Sequence, residues 1–84
     1  MSPWRRFQID AQLKSYLRTK LRDPYSCIDL DQLRNNVTEL CTTMEAHRIK
    51  FGYVPAFVYA MLAKYNRRQN EIINLKFRET YCQP

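Results

Sequence analysis

Leu30, Leu33, Val37, Leu40, Met44, His47 and Phe51 follow one another at intervals of 3, 4, 3, 4, 3 and 4 residues. That spacing puts all seven on one stripe of an α-helix and predicts a helix packed along most of its length. Asp29 is placed to cap its start, Asp31 falls in the first turn, and Arg48 and Lys50 stand near its end, so both ends suit the helix dipole. Upstream, Phe7, Ile9, Leu13, Tyr16, Leu17 and Leu21 recur at mostly helical intervals, while Lys14, Arg18 and Arg22, four residues apart, line a different face. Asp23-Pro24 breaks the chain between these two segments, and Gly52 followed by Pro55 reads as a helix C-cap and then the first turn of another helix.

From Pro55 onward the pattern is double. Val58, Met61, Leu62, Tyr65, Ile72 and Leu75 fit a helix, whereas Ile73, Leu75, Phe77 and Tyr81 also alternate as a strand would. Residues 66–70 contain no glycine to supply the positive φ of a tight turn, and Arg67, Arg68 and Gln69 favour helix. The expectation is an all-α single domain over residues 1–84, a three-helix bundle, with a β-hairpin over residues 66–81 as the alternative for its end.

Size changes this picture. A chain of 84 residues is one small domain, and at that length folding buries only about 60 to 65% of the unfolded chain's surface. Tyr59 lies off the seam of the third helix, and with Phe57 and Trp4 it makes more apolar surface than one thin core absorbs. The bundle is therefore expected to complete its core by dimerisation or by docking on another protein.

Cys27, Cys41 and Cys82 form no C-x-x-C pair and are odd in number, which points to buried thiols in a reducing, intracellular setting rather than to a disulfide scaffold. No run of 18 apolar residues predicts a membrane span, and the charged start is not followed by the apolar stretch of a secretion signal. His47 is the only histidine, and Cys41 with His47 lacks the second pair a zinc site needs. With one glycine, no phosphate-cradling loop or nucleophile elbow can be drawn. Neither a cofactor, a metal nor an enzymatic activity is expected.

The charge is more informative in its distribution than in its total. Lys plus Arg number 14 against 8 Asp plus Glu, and the resulting +6 divides into +4 over residues 1–28, −1 over 29–53 and +3 over 54–84. A polyanion would thus meet the first and third helices, through Arg5, Arg6, Lys14, Arg18 and Arg22 on one and Lys64, Arg67 and Arg68 on the other, with Lys76 and Arg78 further along. Nine of the cations are arginines, suited to bidentate contact with phosphate or carboxylate. The leading expectation is a basic helical protein, homodimeric, that engages nucleic acid phosphates without sequence specificity. An adaptor docking on an acidic protein surface is the alternative, since carboxylates attract such stripes as phosphates do.

Phe7-Gln8-Ile9-Asp10, Leu13, and then Leu30-Asp31-Gln32-Leu33-Arg34 with Leu40 resemble the N-terminal RNA-binding domain of the influenza non-structural protein over residues 7–40. The resemblance implies three helices and a six-helix homodimer gripping double-stranded RNA. That family reads RNA through arginines and a lysine of the second helix. The corresponding positions here hold Gln32, Asn35 and Thr38, with Arg34 the only basic residue nearby, so the resemblance implies the dimeric fold more than the RNA site.

Overall fold

Each of the three predicted helices has a visible reason to start or stop where it does. In the computed structural model, which describes residues 2–27 and 29–81, the first helix, α1, runs Pro3–Lys20. Ser2 caps it, its Oγ accepting from the Arg5 N–H at 3.2 Å, and Pro3 occupies the first helical position, where a missing N–H costs nothing. It stops ahead of Asp23-Pro24, and the chain passes through a single 3-10 turn, Pro24–Ser26, capped by the Asp23 carboxylate on the Tyr25 N–H at 2.8 Å.

The second helix, α2, spans Leu30–Phe51 between Asp29, whose carboxylate takes the Gln32 N–H at 2.9 Å, and Gly52 in the left-handed conformation at φ 81°. Gly52 closes the helix by donating its N–H to the Arg48 carbonyl at 2.8 Å, at a φ that a side chain would resist. The third helix, α3, begins just after Pro55 and runs Ala56–Tyr81. The hairpin alternative for its end is thus not adopted through Tyr81, and no strand occurs among the described residues. Polar, glycine-free residues 66–70 continue the helix because nothing in them supplies a turn.

The α2 seam is buried as its spacing predicts. Leu33 and Leu40 are fully enclosed, His47 nearly so, and Leu30, Val37 and Met44 pack partly against the same core. Leu17 of α1, Cys27 of the connection, and Val58, Tyr65 and Ile72 of α3 complete that core. The apolar reading of α1 holds for Ile9 and Leu17 but not for Phe7, which is 63% exposed. Phe7 stacks instead on Trp4 at 5.7 Å, ahead of the point where Asp10 meets Tyr53 of the α2–α3 connection, so this part of α1 runs past its neighbours.

Hydrogen bonds fix the helix directions. Tyr16 bonds Glu39 and the Arg22 N–H bonds Asn36, so α1 and α2 are antiparallel. Lys14 lies over the Phe57 ring and Tyr65 bonds Arg22, so α1 and α3 run the same way. The result is a rod of 61 × 20 × 17 Å with a radius of gyration of 16.0 Å, against about 12 Å for a rounded domain of this length.

A cationic groove between the first and third helices

The Arg22 backbone is the junction that builds the candidate site. Its N–H donates to Asn36 Oδ1 of α2 at 2.8 Å, and its carbonyl accepts from the Tyr65 hydroxyl of α3. Asn36 is itself held, its Nδ2 donating to the Gln32 carbonyl at 2.7 Å. Thus α2 and α3 hold two successive peptide groups just past the end of α1, one through its N–H and the next through its carbonyl. Burial pushes the Tyr65 hydroxyl up to about 12, so it remains a donor across the physiological range.

With the end of α1 pinned in this way, a cavity of about 570 Å³ opens between α1 and α3 on the side away from α2, to which no α2 residue contributes. Leu17, Leu21, Phe57, Ala60, Met61 and Tyr65 form its floor and lower walls. Lys14 and Arg18 stand on the α1 rim, Arg22 just past its end and Lys64 on the α3 rim, all four exposed, with Asp23 and Pro24 at one end. Phe57, Met61 and Tyr65, four residues apart on α3, form an apolar row beside Lys14 and Arg18, four apart on the parallel α1. Among the described residues no carboxylate forms an ion pair with any of these four cations.

The other cations named from sequence do not join them. Arg6 lies 4.1 Å over the Tyr53 ring, whose hydroxyl donates to Asp10 at 2.7 Å, and Arg5 is exposed in the first turn of α1. Arg68 rests over the Tyr25 ring at 5.9 Å and pairs with Glu71 at 3.3 Å, while Arg67 is exposed and does not line the cavity. Arg34, Asn35 and Thr38, exposed on α2, lie outside it as well.

Charge reasoning found the rim and missed the floor. The signal for the floor was present in the apolar residues on more than one face of the third helix, but which of them meet α1 depends on the register that Arg22 sets.

A smaller cavity of about 240 Å³ lies on the opposite flank, lined by Cys41, Met44, Glu45, Arg48, Val54 and Tyr59. There Glu45 and Arg48 pair with each other, which holds the Glu45 carboxyl below its ordinary range and leaves little unsatisfied charge. Among the described residues no cluster of three His, Cys, Asp or Glu is placed to hold a metal ion, and no helix is long and apolar enough to cross a membrane. Comparison with family models, with curated proteins and with solved structures finds no match to this chain.

Proposed function

We propose that this chain is a non-catalytic interaction subunit whose α1–α3 groove takes up an acidic protein partner. The observation that carries the reading is that four cations surround an apolar floor rather than a polar one. Phosphodiester contacts engage the rim alone, because Leu21, Met61 and Phe57 on the floor offer no donors. A protein partner uses both parts of the groove, burying apolar side chains on the floor and meeting the rim with carboxylates. Nucleic acid remains the competing ligand, drawn by the same rim through charge alone.

Ala60 separates the two. It is an exposed helical residue at the edge of the floor, so Ala60→Arg adds a cation and obstructs the groove without disturbing the core. Fluorescence titrations against an acidic amphipathic peptide and against a DNA duplex, in parallel, supply the test. The expected outcome is peptide binding that weakens roughly tenfold or more with Ala60→Arg, and again with Arg18→Glu. Duplex binding that is tighter than peptide binding, strengthens with Ala60→Arg and falls with salt at a log–log slope of about −3.6, as four phosphate contacts require, would favour nucleic acid instead.

A further inference from the structure

The groove constrains what kind of acidic segment it can hold, and this step rests on the reading of the groove as a protein-docking site. Its walls are helices, whose backbone groups away from the helix ends are already occupied. At the one end where irregular backbone reaches it, the Arg22 N–H and carbonyl are taken by Asn36 and Tyr65, and the Asp23 carbonyl accepts from the Ser26 N–H at 3.0 Å and the Ser26 hydroxyl at 2.9 Å. An extended peptide laid over Leu21, Phe57 and Met61 would bury its own N–H and C=O groups without partners, at a cost that apolar contacts do not offset. A helix satisfies its backbone internally and presents only side chains. The basic rim from Lys14 to Arg22 spans nine residues, the last two past the end of α1, so it is at least about 12 Å long and matches two turns or slightly more of a docked helix. About 570 Å³ accommodates a few large apolar side chains rather than a whole helix, so the ligand helix lies on the groove and inserts one face.

Direction follows from charge. Lys14 and Arg18 on α1 and Arg22 just past its end face a single cation, Lys64, on α3, so carboxylates belong on the α1 side of the ligand. Arg22 and Lys64 flank one end of the groove, but the one carboxylate of its lining, Asp23, stands there with the negative dipole end of α1, while the positive N-terminus of α3 stands at the other end beside Lys14. A ligand helix is most favourable with its positive N-terminus at the Asp23 end, which runs it antiparallel to both α1 and α3. This is the direction α2 takes on the other side.

We infer that the chain is three helices of a four-helix bundle, and that its partner is an acidic amphipathic helix seated antiparallel to α1 and α3 as the fourth. The partner carries apolar residues at i, i+3 or i+4, and i+7, flanked on one side by Glu or Asp meeting Lys14, Arg18 and Arg22.

Three model peptides of equal composition test this with the full chain: one with leucines and glutamates arranged on an amphipathic helix, one with the same residues scrambled so that no apolar face forms, and one keeping the order but with a proline moved from the end to the centre. The amphipathic peptide is expected to bind at least roughly tenfold more tightly than either other. Its N-terminal spin label is expected to broaden amide signals of residues 21–23 and 25, and a C-terminal label those of residues 13–14 and 57. Equal binding by the scrambled or proline-broken peptide overturns the helical partner while leaving the acidic-partner reading intact, and reversed broadening overturns the orientation. Absence of binding by all three defeats the docking reading itself, and with it this inference.

Discussion

His47 shows how a single buried side chain links the fold to pH. It sits on the α2 seam with its ring 4.7 Å from Phe51 and 5.2 Å from Tyr53, and its Nε2 has no hydrogen-bond partner among the described residues. Burial lowers its pKa, with the nearby Asp10 carboxylate opposing the shift in part. A histidine whose folded pKa is depressed binds its proton more readily in the unfolded chain. Its contribution to stability is therefore complete above the unfolded pKa near 6.5 and is lost as pH falls from there toward the lower folded value. Urea unfolding of the wild type and of His47→Phe between pH 7.5 and 5.5 is expected to show the wild type losing stability more steeply on acidification. Equal slopes would mean that the imidazole is solvated after all.

At the scale of the element, α2 is the part on which the others depend. Leu40 is fully buried in the core shared by all three helices, whereas Cys41 one position on is exposed. Leu40→Ala leaves a cavity between helices that cannot close up freely, and it is expected to cost about 2 to 5 kcal/mol. In so small a domain that amounts to a large part of the total. Cys41→Ala is expected to stay within about 0.5 kcal/mol, as exposed helical substitutions generally do. Chemical denaturation of both variants, followed by circular dichroism, checks the contrast. An equal loss from both would show that the 3-4 seam is not the packed face.

For the molecule as a whole, the elongated shape exposes apolar groups that a rounder fold would cover. Trp4, at 67% exposed, and Phe7 lie at the start of α1, and Ile73 and Leu75 are exposed in the last turns of α3. These residues give the expectation of self-association a surface on which it can be tested. Sedimentation equilibrium at two protein concentrations about a hundredfold apart is expected to show the average mass rising toward that of two chains at the higher one. A Trp4→Ser, Leu75→Ser variant should stay nearer one chain. A constant single-chain mass throughout would leave the fourth helix of a partner as the remaining way to extend the core.

The sequence alone determined the three helices, their breaks at Asp23-Pro24 and Gly52, the caps at Asp29 and Gly52, and the α2 seam, because each of these depends on residues within a turn or two of one another. It also marked Lys14, Arg18 and Arg22 as one row. Only the tertiary structure decided that Lys64 joins that row while Arg6 and Arg68 turn to tyrosines, and that Phe57 and Met61 form a floor beside it. Those outcomes depend on the register and direction of α1 against α3, which Asn36 and Tyr65 set by holding the N–H and the carbonyl of Arg22 from α2 and α3. Contacts between residues some forty positions apart leave no periodic trace in a chain, so charge and spacing identified the candidates, and packing selected among them.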